Sequence, residues 1–283
     1  TGYHTDDEAI KAGITGLMYH GLKLPVRPKP WNIAWVFLGV TLLFLTRPFK
    51  ALLHQPEMED PWAQRTMELL ASLVPPTSLV NPELFVYVVL KMNYLTLKYG
   101  RCDASAFAFA CYPIVAYGLG LNLPKVRRLQ DIALELAETS SPSIRYRTYY
   151  VVSAFLNFWH KHLRTSLDYA RQVYAAAYEH GDTLFAGAAV TELVQVHHAL
   201  GESLDELAAV NEMALGETTK YGMLLLVDIH EAVNVYIKSL RGELEEYTIP
   251  ESVVQRMLHT DSAMIVPYHY LMKIQVSYLR GDY

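Results

Sequence analysis

The sequence predicts an all-α fold, an α-solenoid of antiparallel helix pairs, and three observations carry that expectation. Nine of the 14 prolines lie between Pro25 and Pro82, and none lies between Pro142 and Pro250. Proline breaks helix interiors, so the proline-free run of good helix formers leaves room for several long helices. Within the segments, apolar residues recur at helical spacing. Leu84, Phe85, Val88, Val89, Met92 and Leu95 share one face, as do Leu163, Leu167, Ala170, Tyr174 and Ala177. The pattern also repeats: Asp131-Ile132-Ala133 returns 37 residues later as Asp168-Tyr169-Ala170, and after a further 37, more weakly, as Asp205-Glu206-Leu207. Glycines at 201, 242 and 281 continue the rhythm. Periods of about 34 to 47 residues belong to paired-helix solenoids. One pair cannot bury its apolar stripe alone, and stacked neighbours shelter it, leaving a superhelix with a concave face. Strand signals are scarce, with no Asn-Gly or Asp-Gly turn and no sustained alternation of apolar and polar residues.

Taken in order, the elements are helices over residues 5–21, 31–46, 61–74, 82–99, 104–118, 124–139, 142–160, 164–180, 182–200, 203–220, 222–240, 250–258 and 262–280. Thr5-x-x-Glu8 reads as a capping box for the first and Ser203-x-x-Glu206 for the tenth. Asp60-Pro61, Asn81-Pro82-Glu83 and Ser141-Pro142 each offer an N-cap side chain followed by proline at the first helical position. Gly181-Asp182 reads as a stop followed at once by a new cap. Small residues at Ala104, Ala106, Ala108 and Ala110, and again at Ala186, Gly187, Ala188 and Ala189, mark places where helices approach closely. The whole chain reads as a single helical-repeat region, with proline-rich first helices and a linker over 1–60 and stacked helix pairs over 61–283.

Composition bounds the function classes. The chain has 283 residues, enough for one large or two ordinary domains, with 52% hydrophobic and 19% charged residues against a usual charged share of about 25%. Disorder needs the opposite balance. The net charge of −5 predicts no bulk attraction to nucleic acid. Two cysteines, Cys102 and Cys111, exclude a disulfide-stapled scaffold and predict a reduced, cytoplasmic setting with buried thiols. The acidic opening Thr1–Glu8 lacks the basic and apolar regions of a signal peptide. The last residues, Tyr278-Leu279-Arg280-Gly281-Asp282-Tyr283, read as the turn between two helices, so a fragment of a longer polypeptide is expected.

The run from Trp31 to Thr46 carries no charge. As a helix it covers roughly 24 Å, short of the roughly 30 Å hydrocarbon layer, which predicts a buried or partner-covered helix rather than a spanning one. Membrane contact through residues 31–46 is the alternative. Trp31 and Trp35, one turn apart on this most apolar segment, are the interaction candidates, set against plain packing within the chain.

The search for chemistry is mostly negative. There is no phosphate-cradling G-x-x-x-x-G-K-[ST] loop and no kinase catalytic motif, and Gly118-Leu119-Gly120 lacks the third glycine and the strand of a dinucleotide site. His230-Glu231-Ala232-Val233-Asn234 approaches a zinc-binding H-E-x-x-H, with Asn234 in the place of the second histidine. The pairs His160/His162 and His197/His198 lack ligand spacing on a helix. Tyr146, Tyr149, Tyr150, Tyr268 and Tyr270 read as amphipathic filler between helices. No catalytic, cofactor-binding or metal-binding residue is assigned, and no cofactor is expected.

One group of segments is specific in combination: Gln55-Pro56-Glu57-Met58-Glu59-Asp60-Pro61, Asn81-Pro82-Glu83-Leu84-Phe85, Lys98-Tyr99-Gly100, Ser105-Ala106-Phe107-Ala108-Phe109-Ala110, Phe158–Arg164, His180-Gly181-Asp182, Gly201–Leu207 and Tyr278–Tyr283. In this order and spacing, from about Asp7 to Tyr283, they resemble the tetratricopeptide-like helical region of large multidomain signalling proteins. Gly21-Leu22-Lys23-Leu24-Pro25 also matches that family's linker after its first helices. In such proteins a serine/threonine protein-kinase-like domain and an AAA-type ATPase precede the helical region, and a GAF domain and a sensor histidine kinase often follow. The segment Asn32–Leu45 differs, being more apolar than the basic amphipathic helix of the family. The resemblance implies a right-handed superhelix and a non-catalytic regulatory module. Such a module would act as a protein-binding scaffold between ATPase and sensor-kinase domains, its partners being neighbouring domains of the parent chain or other proteins. No catalytic residue of the family falls on this chain. An all-helical enzyme with a pocket between helices, drawing for instance on His160 and His197, is the alternative from a different class.

Overall fold

The computed structural model describes residues 2–121, 124–259 and 265–281. Among them the chain is all-α, with fourteen α-helices, one 3-10 turn and no strand. It divides into two compact units, Tyr3–His160 and Lys161–Tyr283.

The first unit holds α1 (Gly2–Tyr19), α2 (Pro30–Thr46), α3 (Phe49–Leu53), α4 (Pro61–Val80), α5 (Pro82–Tyr99), α6 (Ser105–Gly118), α7 (Pro124–Ala137) and α8 (Pro142–Phe155), then the 3-10 turn Asn157–Trp159. Its centre is α5 and α6. Helix α5 packs against α2, α4 and α6, and α6 against α7 and α8. The alanines at 106, 108 and 110 of α6 are buried and leave room for neighbours, while Phe107 and Phe109 fill the space between helices. Full burial of a side chain of that size is worth about 1.5–3 kcal/mol. Asn93, wholly buried on α5, donates through Nδ2 to the carbonyls of Val89 and Ala108, both at 2.9 Å, and so ties α5 to α6.

The second unit holds α9 (Arg164–Glu179), α10 (Thr183–Leu200), α11 (Leu204–Lys220), α12 (Leu224–Leu240), α13 (Glu251–His259) and α14 (Ile265–Arg280). From α9 to α12 each helix packs on the next across a short turn, so neighbours run antiparallel; α13 and α14 close on α12. The sequence repeat has a physical meaning. Asp131, Asp168 and Asp205 all face solvent on α7, α9 and α11, and two residues further on Ala133, Ala170 and Leu207 are buried. The repeat therefore marks the point where alternate helices turn inward.

Most predicted boundaries match within two residues, and the caps explain why. Asp60 accepts from Trp62 N at 2.9 Å, Asn81 from Leu84 N at 3.1 Å and Asp182 from Phe185 N at 3.3 Å. Ser203 and Glu206 form the reciprocal box. Four expectations need correction. Helix α1 begins at Gly2, so Thr5 lies inside it rather than at its cap. Helix α4 does not stop at residue 74 but runs through Pro75 and Pro76 to Val80. The prolines forfeit two backbone bonds, yet Leu73, Val74 and Thr77 are buried there, and Thr77 Oγ1 donates to the carbonyls of Leu73 at 2.6 Å and Val74 at 3.1 Å. Ser141 does not cap α8; its hydroxyl donates to Asp103 Oδ2 at 2.6 Å instead. Helix α8 ends at Phe155, because the buried Asn157 turns its Oδ1 to accept from Gln130 Nε2 at 3.0 Å on α7. The short α3 carried no sequence signal. The first residues of the helix expected over 262–280 lie outside the described residues.

Between α5 and α6, Gly100 takes φ +104°. Beside it Arg101 N donates to Pro56 O at 2.9 Å and Met58 N to Arg101 O at 2.7 Å, forming the isolated parallel bridge Glu57–Arg101. A Cβ at residue 100 would stand 2.5 Å from the Pro56 carbonyl oxygen, a backbone atom that cannot move aside. Gly100→Ala is expected to cost about 3 kcal/mol in urea unfolding, from strain and clash together. Gly216→Ala, at an exposed interior position of α11 with open space around it, is expected to add about 0.5–1 kcal/mol. Equal effects at the two positions would contradict this account.

Candidate functional site

Helix α2 is built entirely of uncharged residues and starts from a local cap, Lys29 N donating to Asn32 Oδ1 at 3.0 Å. Because every side of it is apolar, its sequence does not say which side faces in. Packing decides that. Val40 and Phe44 are buried, and the Phe44 ring meets Tyr112 of α6 edge-on at 5.0 Å. Gly39 brings the backbone to the Tyr94 ring of α5, where a Cβ would sit 3.8 Å away. The opposite side is left to solvent. Trp31 is 57% exposed, Trp35 72%, Leu38 49% and Leu42 53%. These positions follow the turns of one helix face, so the two tryptophans belong to a continuous apolar stripe.

Beside the stripe an open hollow of about 540 Å³ is lined by Pro30, Ile33, Phe37, Leu119 and Leu121, with Glu83 at its edge. Cations sit on aromatic rings of α2 and α5. Lys29 Nζ lies 4.9 Å from the Trp31 ring, and Lys91 and Lys98 lie 5.8 and 5.6 Å from the Tyr94 ring. Burial and the nearby Lys98 hold Lys91 below the usual lysine range. Sequence reasoning found the tryptophans but not Leu38, Leu42 or the lysines. Helical spacing alone could not single out the two leucines in a run with apolar residues on every side.

Most of the titratable groups that the sequence singles out are engaged in packing. His160 Nε2 and the Tyr117 hydroxyl are hydrogen-bonded at 2.7 Å, and burial, followed by Arg127, holds His160 below its usual range. His162 is exposed and accepts from Arg164 N at 3.2 Å. His197 pairs with Glu202. His198 lies between Tyr268 Oη and Gln275 Oε1, each at 2.9 Å, which joins α10 to α14. Tyr146 is buried, Tyr149 donates to Glu138, Tyr150 packs edge-on against Phe155 and Tyr270 is 45% exposed. Cys102 is half-buried and Cys111 fully so, and burial pushes both thiols up. Among the described residues no group of three or more His, Cys, Asp or Glu is placed to hold a metal, and no helix is long and apolar enough to cross a membrane.

His230 and Asn234, the two positions that approach a zinc pair, both turn to Asn211 on α11. Asn211 Oδ1 accepts from His230 Nδ1 at 2.9 Å. Its Nδ2 donates to His230 O at 2.9 Å and to Asn234 Oδ1 at 2.8 Å. The neutral ring then offers Nε2 to the Thr191 hydroxyl of α10, 3.1 Å away. Asn211, which no spacing rule identifies, thereby joins α11 to α12, and His230 in turn joins α12 to α10. Buried Asp228 is likewise gripped by Arg256 of α13, at 2.9 Å to Nε and 2.6 Å to Nη2.

No family model matches the chain. Neither does any curated protein or any solved structure.

Desolvation lowers His230 to about 4. In the unfolded chain the ring protonates near pH 6.5, while in the fold it stays neutral down to about 4. Between these values the unfolded state binds more protons, so stability falls as pH falls and levels off below. The expected loss from His230 is on the order of 3 kcal/mol. His198 and His269, also lowered chiefly by burial, act in the same direction. Urea unfolding from pH 7 to 4 measures this, and His230→Gln should make the acid loss shallower. An unchanged slope in that variant would remove His230 from the account.

Proposed function

We propose that this chain is a non-catalytic regulatory scaffold, a tetratricopeptide-like stack of helix pairs within a larger signalling protein. Its role is to hold neighbouring domains and bias a conformational equilibrium between them. The resemblance across the chain to the helical region of kinase- and ATPase-bearing signalling proteins supports this reading, as does the way the buried polar groups of α10–α14 are spent on joining helix to helix.

One observation carries it. Helix α14 buries Met272, Val276 and most of His269 against the rest of the second unit, but turns the opposite face outward. On that face Tyr270 is 45% exposed, Leu271 47%, Ile274 64% and Tyr278 67%; Leu279, 65% exposed, lies in the last turn in line with Met272. A helix with no neighbour over its outer side needs that side to be polar. This one has an apolar face at helical spacing. The occupant that fits is an amphipathic helix from a neighbouring domain of the same polypeptide, packed on α14 as α12 packs on α11.

The 283-residue chain alone should therefore associate with itself in a concentration-dependent way in sedimentation velocity, through faces left uncovered. Ile274→Glu with Leu271→Glu should abolish that association while the far-UV circular dichroism stays the same. The same protein should show no ATP hydrolysis and no phosphotransfer above background with magnesium and ATP. Turnover that survives purification to homogeneity would overturn the non-catalytic reading. A wild-type chain that stays monomeric and binds no apolar dye would overturn the docking role of α14.

A further inference from the structure

We propose that α2 is a membrane-docking helix that lies along the headgroup boundary of an anionic bilayer, with Trp31, Trp35, Leu38 and Leu42 dipping into the lipid. This stands apart from the role given to α14 and uses none of its residues.

Length comes first. Seventeen residues make a helix of roughly 25 Å, too short to cross the hydrocarbon layer of roughly 30 Å. Half of α2 is also committed to α5 and α6 through Gly39, Val40 and Phe44. A helix lying in the interface normally has one apolar and one polar face. Here the protein itself replaces the polar face, and the apolar stripe is what remains outside.

Charge points to the kind of surface. Between Ala9 and Pro56 the sequence has six basic residues, Lys11, Lys23, Arg27, Lys29, Arg47 and Lys50, and no Asp or Glu. This lies within a chain whose net charge is −5. Lys23, Arg27 and Lys29 are exposed just before α2, and Arg47 follows its last turn. Lys91 and Lys98 stand over Tyr94, the ring against which α2 lies. Glu83, at the edge of the hollow, is the acid there. Indole rings beside lysine and arginine at the end of an uncharged helix are the composition that settles at the headgroup level. Anionic headgroups attract each basic residue near the surface by about the same small increment, and the attraction fades within a Debye length. A second copy of the chain would bring a like-charged rim against this one, which disfavours self-pairing through α2.

Flotation of the 283-residue chain with vesicles of phosphatidylcholine, with and without phosphatidylserine, tests the proposal. The chain should float with the phosphatidylserine vesicles, and rising salt should release it. Trp35→Asp, at an exposed position, should lower the partition roughly tenfold or more. Arg27→Gln and Lys29→Gln should each lower it roughly fivefold, and only on the anionic vesicles. Circular dichroism checks that each variant is folded, and Leu42→Ser replaces Trp35→Asp if that variant is not. No flotation with phosphatidylserine vesicles would overturn the proposal, as would equal flotation with phosphatidylcholine alone or full binding by a folded Trp35→Asp protein. Self-association lost on Trp35→Asp, without vesicle binding, would assign the face to a second copy instead.

Discussion

Every helix in this protein carries an apolar stripe that it cannot shelter by itself, and the fold is the set of contacts that solves this. In α9 the stripe is Leu167, Ala170, Val173 and Ala177, all buried. Leu193 and Val196 of α10 join Leu167 and Ala170 in one cluster, while Val190 and Val194 belong to the next, with Leu207, Ala214, Ile229 and Val233. Helix α10 thus serves two neighbours at once, and its buried positions spread around it accordingly. The same logic places α6 at the middle of the first unit, where its alternation of alanine and phenylalanine meets helices on several sides.

Polar groups inside such packing are costly unless paired. Asn157, Asn211 and His230 each meet that demand by bonding to a different helix from their own, and Asn93 does so through its Nδ2. These bonds fix which turn of one helix lies against which turn of the next, which apolar contact alone does not specify. Both ring nitrogens of His198 and His230 are occupied by neighbouring side chains.

Among the described residues, α2 and α14 keep large apolar side chains in water along one face, and they do so for different reasons. Helix α14 is amphipathic with a second apolar stripe, as expected of a helix with neighbours on both sides. Helix α2 has no polar side at all, so covering one face necessarily leaves another bare. Uncovered stripes of this size are rare on isolated globular surfaces. They concentrate the interaction potential of the chain in two places that differ in charge setting, one beside a run of basic residues and one not.

Much of the all-α architecture was legible from local rules. Proline and glycine placement, the N-caps at Asp60, Asn81, Asp182 and Ser203, and the 3.6-residue period place helices within a few residues, because those signals act over one or two turns of chain. The inward turn at Ala133, Ala170 and Leu207 was legible as a repeat for the same reason. What the sequence did not determine were the choices made by distant neighbours. Helix α4 continues through Pro75 and Pro76 because burial outweighs two lost backbone bonds; Ser141 serves Asp103 instead of its own helix; Asn211 joins α11 to α12, and His230 joins α12 to α10. In α2, where apolar residues surround the helix and Asn32, Thr41 and Thr46 mark no single polar side, it is contacts such as those with Tyr94 and Tyr112 that put Val40 inside and leave Trp35 out. Local patterning can specify a helix, but a face is chosen only when there is something to pack against.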